Sequence, residues 1–286
     1  MQNTALSSSM VQRRHLVRKI HVGALIVAAL LITALAGPWI APYGYDQIDA
    51  PARLSAPSAA HWFGTDEFGR DVLSRTLVGG RYSVMMGFGA TAISLLLGVP
   101  LGLIAGFSRG RLGETILRVM DVLMAFPPIM LGLLILAVTA PALWKAMLAV
   151  GIVYIPPMVR LTRSITLELL HEEFVEAARA GGERVHYILF REILPNALPI
   201  IAVEGSLRIT FAILLGASLS FLGLGAQPPS SDWGLMISEA RAFVPSAPWI
   251  ALGPGFAMCL LVIGINLFGD GLRQTLDPKT RFQRVA

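Results

Sequence analysis

Charge is scarce in this chain. Of its 286 residues 14% are Asp, Glu, Lys or Arg and 55% are hydrophobic, with a mean hydropathy of +0.66. That balance excludes a soluble domain of ordinary surface, and it also excludes a disordered chain, which needs high charge and few apolar residues. Lysine is rarer still: Lys19, Lys145 and Lys279 are preceded by Arg18, Trp144 and Pro278. No Gly-Lys-[Ser/Thr] end of a phosphate-binding loop therefore exists, and any ATP hydrolysis belongs to another polypeptide. A His-Glu-x-x-His pair is missing too. The single cysteine, Cys259, precludes an intramolecular disulfide. No internal repeat is evident, which weighs against an inverted-repeat secondary transporter. A net charge of +5 and a pI near 9.8 would suit a nucleic-acid binder, but the basic residues stand at the ends of apolar runs rather than on one face. They read as membrane orientation signals, and no nucleic acid is expected as a partner.

Apolar sequence is abundant and comes in blocks. Six segments, at about 20–40, 83–107, 118–138, 143–161, 198–224 and 249–268, approach or exceed the roughly 20 residues that cross a bilayer as a helix. The expected fold class is an all-α integral membrane protein with six transmembrane helices. The first twelve residues are polar and expected to be loose. Arg13, Arg14, Arg18 and Lys19 then precede the first segment, which contains Ala34-Leu35-Ala36, a pattern like that of a signal-peptide cleavage site. Its length, with Trp39, Tyr43 and Tyr45 near its end, favours a retained span with an aromatic belt. The chain divides into a tail 1–19, a first helix with its excursion 20–80, a membrane core 81–271 and a tail 272–286.

Residues 41–81 are too polar to cross a membrane. Within them Thr65 or Asp66 is placed to cap a short amphipathic helix over 67–77, with Phe68, Val72 and Leu73 on its apolar side. His61, Asp66, Glu67 and Asp71 carry metal-ligand chemistry, but with one histidine among them capping and ion pairing is the favoured reading. In the second segment Gly98, Gly102 and Gly106 share one helical face, a packing seam that could lie within the chain or against a partner. Phe126-Pro127-Pro128 and Pro156-Pro157 are expected to break or kink the third and fourth segments. Asp121 stands near the first break, and Glu204 and Arg208 are spaced to pair on one face of the fifth segment. All three are candidates for an ion relay, with neighbouring charges or packing as the alternative. Part of the polar stretch 227–248, about 233–243, is expected to form an interfacial helix.

Between the fourth and fifth apolar segments lies a charged island, Glu172 to Pro195. It reads as two short helices separated by Gly181-Gly182, the first a knob with Phe174, Ala177 and Ala178 at its apolar tip and Glu172, Glu176 and Arg179 on its rim. The second starts near Glu183 and is expected to stop before Pro195. With the N-terminus placed inside, sixteen of the 23 Lys and Arg residues fall on the inner side and six on the outer. The positive-inside rule then puts both termini and the island in the cytoplasm, and a cysteine at Ser74 is expected to react with an impermeant reagent from outside.

The island carries a resemblance. Glu176-Ala177-Ala178, Gly182 four residues on, and Leu194-Pro195 twelve and thirteen positions later resemble the EAA loop of ABC importer permeases. An Ile commonly placed two residues before the Leu-Pro is here Glu192, with Ile193 beside it. HWFGTDEFGRDVLSR, including Gly64, Thr65, Asp66, Gly69, Arg70 and Asp71, is similar to a signature of the C-type subunits of dipeptide, oligopeptide and nickel importers, and the LDPKTR tail matches too. The resemblance implies an ABC type I importer permease fold whose EAA loop, 172–195, is a cytoplasmic coupling helix. It implies a homologous B-type permease, two ABC ATPase subunits and an extracytoplasmic solute-binding protein as partners, in a bacterial or archaeal inner membrane. It also implies that ATP and Mg bind those ATPases, with no cofactor in this chain. The cargo stays open among peptides, nickel and glutathione. An ion-driven secondary transporter and a non-transport assembly factor remain the rival readings.

Overall fold

The computed structural model describes residues 2–108 and 110–276, with side chains placed from His21 to Thr275. Arg109, Lys279, Arg281, Arg284 and the tail from Asp277 lie outside the described residues. The first helix, α1, spans Gln2–Ile40. It begins far upstream of its apolar part, His21–Ile40, so the first residues are helical rather than loose. No glycine or proline precedes Gly23 to interrupt it.

An extramembrane excursion leads to α2, Val72–Phe107. The short helix expected over 67–77 does not form as a separate element. Residues 66–70 turn instead, with Gly69 at φ +79°, and Asp71 rather than Thr65 or Asp66 caps the helix. From Val72 the helix runs 36 residues and absorbs Pro100.

Beyond α2, α3 (Arg111–Met124) and α4 (Pro128–Leu136) are bent by 90° where Phe126-Pro127-Pro128 intervenes. Counting this pair as one span gives six membrane crossings among the described residues, and five otherwise. Next, α5 (Leu143–Val153) and α6 (Ile155–Leu169) form one span. Pro156-Pro157 interrupts the span as expected: α5 ends at Val153, Tyr154 leaves the helical range at φ −97°, ψ 1°, and the two prolines sit in the first turn of α6, where N–H groups have no intrahelical acceptor to lose.

The island contributes α7 (Glu173–Ala180) and a single turn, α8 (Val185–Tyr187). A π-helical turn, Ile188–Ile193, follows and runs directly into α9, Leu194–Phe221. The second island helix therefore does not stop at Pro195: Val185–Phe221 is one helix of 37 residues. Widening to i→i+5 bonding just ahead of Pro195 relieves the clash between its ring and the preceding turn.

Finally come α10 (Trp233–Ala240) and α11 (Trp249–Leu276). The helix α10, expected at the interface, is buried in the bundle: Trp233, Met236 and Ala240 pack with Ile213, Ile250 and Leu261, and Trp233 Nε1 donates to the Thr76 carbonyl at 2.9 Å.

Packing is organised around α2. In its C-terminal half Gly98, Gly102 and Gly106 face α6, where an added Cβ would lie 2.7 Å from Met158 Cβ, 2.6 Å from Thr162 Cβ and 2.7 Å from Thr166 Cβ. The seam lies within the chain, and lipid tails cannot substitute for such close backbone approach. At its middle, Met86 and Ala90 meet Leu131, Val150 and Leu219. At its N-terminal end Val72 joins the cluster around Trp233.

Candidate functional site

The island forms a knob with a buried root. Val175 is fully buried among Leu103, Ile165, Ile188 and Ile193, with Phe174 and Ala178 packed beside it. Removing a valine side chain from water stabilises by about 1.5–3 kcal/mol, enough to fix an eight-residue helix that would not persist alone. This reverses the sequence expectation: Phe174 and Ala178 face the bundle, and the exposed tip is Glu172, Glu173, Glu176, Ala177 and Ala180. Val175, one residue past Phe174, was the anchor that the choice of Phe174, Ala177 and Ala178 as the apolar face overlooked. Arg179 stays exposed on the rim, its guanidinium 5.4 Å from the centre of the Phe107 ring at the end of α2.

The turn after α7 is built on one glycine. Glu183 N–H donates to the Ala178 carbonyl at 3.1 Å and Gly182 N–H to the Arg179 carbonyl at 3.0 Å, the paired bonds of a Schellman end. Gly182 takes φ +77°, whereas Gly181 is ordinarily helical at φ −72°. Leu194 is half-buried beside this cluster and Pro195 is exposed at the start of α9.

At the opposite end of α2 the signature residues form a buried ionic cluster. Asp66 accepts from Phe68 N–H and Arg70 N–H, both at 2.9 Å, and from Arg70 Nε at 2.6 Å. Arg70 and Arg75 both reach Glu239 Oε2 on α10, at 3.2 and 3.1 Å, and Arg75 also donates to the Ser230 carbonyl at 3.2 Å. Asp71 accepts from Ser74 N–H and Oγ, both at 2.7 Å, with His61 Nδ1 at 2.9 Å. Thr65 accepts from Ser55 N–H, and its carbonyl accepts from Trp249 Nε1 at 3.2 Å. Gly64 and Gly69 take positive φ, and a Cβ on Gly69 would come within 1.8 Å of the Asp49 carbonyl. The signature thus clamps the excursion to α2, α10 and α11, and sequence spacing could not reveal its tie to Glu239, 169 residues from Arg70.

Burial raises the Glu239 carboxyl above its ordinary range, with Arg75 and Arg70 pulling the other way. Asp232, which caps α10 by accepting from Leu235 N–H at 3.0 Å, is also pushed up by burial. Asparagine caps as well as aspartate and has no charge to desolvate. Asp232→Asn should leave the thermal midpoint of the purified protein unchanged or raised, and Asp232→Ala should lower stability by about 1 kcal/mol. Equal losses in both variants would refute the cap.

Ser74 is fully buried, its Oγ accepting from Tyr43 N–H at 3.1 Å, so a cysteine there cannot report topology. The relay candidates are paired: Asp121 with Arg160 at 2.5 Å, and Glu204 with Arg208 along one face of α9. Arg208 also lies 5.7 Å from the Tyr154 ring centre. Gly106-Phe107-Ser108-Arg109-Gly110 matches the spacing of a hydrolase nucleophile elbow, but Ser108 follows the end of a helix, not a strand.

With this geometry in view, the chain was compared with known proteins. The model of the binding-protein-dependent transport system inner membrane component matches residues 98–282, and that of the N-terminal TM domain of oligopeptide transport permease C matches residues 21–57. A dipeptide transport system permease protein of Alkalihalophilus pseudofirmus is 44% identical over 91% of this chain and 86% of its own. A glutathione transport system permease protein of Pectobacterium atrosepticum is 42% identical over 94% of this chain and 90% of its own. Among solved structures, a methionine ABC transporter in inward-facing conformations matches 72% of this chain and 96% of its own, with a TM-score of 0.59 and 18% identity. That last likeness is one of fold.

Proposed function

This chain belongs to the binding-protein-dependent transport system inner membrane components and is a permease subunit of an ATP-driven importer, a premise from which we propose that its cargo is a di- or tripeptide or a related small peptide such as glutathione. It is a multi-pass membrane protein and not an enzyme. The family sets aside both the ion-driven transporter and the assembly factor. The observation that carries the reading is the knob: a short helix rooted by Val175 in the bundle core, with an acidic, small-residue tip left free for a partner.

In this reading the chain is the C-type half of a heterodimeric pathway, beside a homologous B-type permease. Two cytoplasmic ATPases bind ATP and Mg and grip the Glu176–Gly182 tips, and an extracytoplasmic binding protein delivers the cargo. Closure of the ATPases moves α7; its packing on Ile188, Ile193 and Leu103 carries that motion into α9 and α2. Leu194 and Pro195 set where the π turn hands over to α9. The seam at Gly98, Gly102 and Gly106 makes α2 and α6 travel together.

Deleting the gene should abolish uptake of labelled dialanine, and affinity purification of the restored protein should bring down two ATPases and a second permease. Purification of this chain alone, or undiminished peptide uptake, would count against the proposal. The orientation, with both termini and the knob in the cytoplasm, is tested at Ala59, which is exposed on the excursion. Ala59→Cys in a Cys259→Ser background should react with an impermeant maleimide in whole cells, and protection until lysis would reverse the topology.

A further inference from the structure

Resting on the peptide reading above, we propose that Arg160 and Arg163, in the cleft between α3 and α6, form a binding site for the carboxylate of the cargo on its way out to the cytoplasm. The cleft has a volume of about 370 Å³ and is lined by Leu117, Asp121, Arg160 and Arg163. It lies toward the knob end of the bundle, because the Arg163 carbonyl faces Gly106 in the last turn of α2, next to the Phe107 ring that supports Arg179.

The charges in the cleft do not balance. Asp121 engages Arg160 Nη2 at 2.5 Å, and both side chains are about half exposed, so this pair is readily exchanged with a competing anion. Arg163 has no ion-pair partner among the described residues, and its Nε is buried without a hydrogen-bond acceptor. A guanidinium without a carboxylate partner, its Nε shut away from water, favours an anion with two oxygens that match its planar fork. Two guanidiniums on successive turns, three residues apart, offer more donors than the one carboxylate present can accept. Every peptide carries a terminal carboxylate whatever its side chains, so a site that reads only this group suits a pathway serving many sequences. Asp121 is the internal competitor: it holds Arg160 when the cleft is empty and keeps affinity low enough for release.

The test uses the purified permease assembly in nanodiscs without the binding protein, so that recognition outside the membrane does not contribute. Dialanine should raise the thermal midpoint and dialanine amide should not. Arg163→Gln should raise the half-maximal concentration by about tenfold or more, whereas Asp121→Asn, which frees Arg160, should lower it several-fold; this second variant moves in the opposite direction to any general damage. A shift produced equally by the amide, or unaffected by both substitutions, overturns the site. A shift that follows phosphatidylglycerol content in place of dialanine assigns the arginines to lipid phosphate and overturns it as well. Growth of the deletion strain on dialanine reports separately on cargo: normal growth with an intact, carboxylate-dependent shift supports the cleft and overturns peptide as the cargo.

Discussion

Gly182→Val is expected to abolish most uptake while leaving the protein in the membrane at near-normal level. Gly182 holds φ +77°, where a β-branched residue is strained by about 1–3 kcal/mol, yet no atom lies within 4 Å of the Cβ it would gain. The penalty therefore comes from the backbone alone, and the chain escapes it by abandoning the left-handed turn. The Schellman bonds to Ala178 and Arg179 then break, and the tip of α7 changes its angle to the π turn and α9. The bundle itself is untouched, since Val175 keeps its burial. Uptake should fall at least about tenfold, one decade being about 1.4 kcal/mol of misplacement, while the ATPase activity of the assembly loses its response to loaded binding protein. Gly181→Ala is the control: Gly181 is helical and an added Cβ would meet only the carbonyl oxygens of its own preceding turn, the nearer being that of Ala177 at 3.4 Å, so uptake should be normal. If both variants transport equally well, the knob is not the coupling element.

Arg75→Leu is expected to be the most destabilising single change outside the island. Arg75 is 1% exposed and compensates Asp66 and Glu239, at 3.5 and 3.1 Å. Removing one partner of a buried ionic cluster costs about 3–5 kcal/mol, because the remaining charges keep their desolvation penalty and lose their attraction. The excursion should detach from α10 and the membrane level of the protein should drop several-fold. A pH dependence follows from Glu239, whose carboxyl burial already holds above its ordinary range. Protonation favours the folded form of such a group, so its contribution is present at low pH and lost as pH rises through the folded-state value. Without Arg75 that value moves further up. The deficit in thermal midpoint should accordingly be smaller at pH 5.5 than at pH 7.5, and Glu239→Gln should restore part of it. A deficit independent of pH and of Glu239 would show that Arg75 acts through packing alone.

Much of the knob was legible in the linear chain. The left-handed turn follows from Gly182, and the interruption of the third span from Pro127-Pro128, because both are local backbone constraints. The side of α7 that is buried is not legible in its eight residues: the position of the bundle decides that Val175 is the root and that Phe174 and Ala178 pack beside it. Pro195 was read as a stop, yet a π turn carries the helix through it. The signature was recognisable as a pattern without a role. Asp71 caps α2 and Asp66 pairs with Arg70, the capping and ion pairing expected of this segment, but Arg75, Glu239 and Ser230, which complete the cluster, share no spacing with them.

The amino-acid sequence by itself determined that this protein lives in a bilayer, which segments are apolar enough to cross it, and where Gly182 and Pro127-Pro128 turn the chain. These are consequences of composition and backbone sterics acting over a few residues. Only the tertiary structure decided that the glycine seam closes on α6 rather than on a partner, that α10 is buried, and that Arg163 finds no ion-pair partner among the described residues. Those outcomes depend on which distant groups share a low-dielectric interior, where a polar atom must find a partner however far along the chain, as Arg75 does in Glu239, 164 residues away.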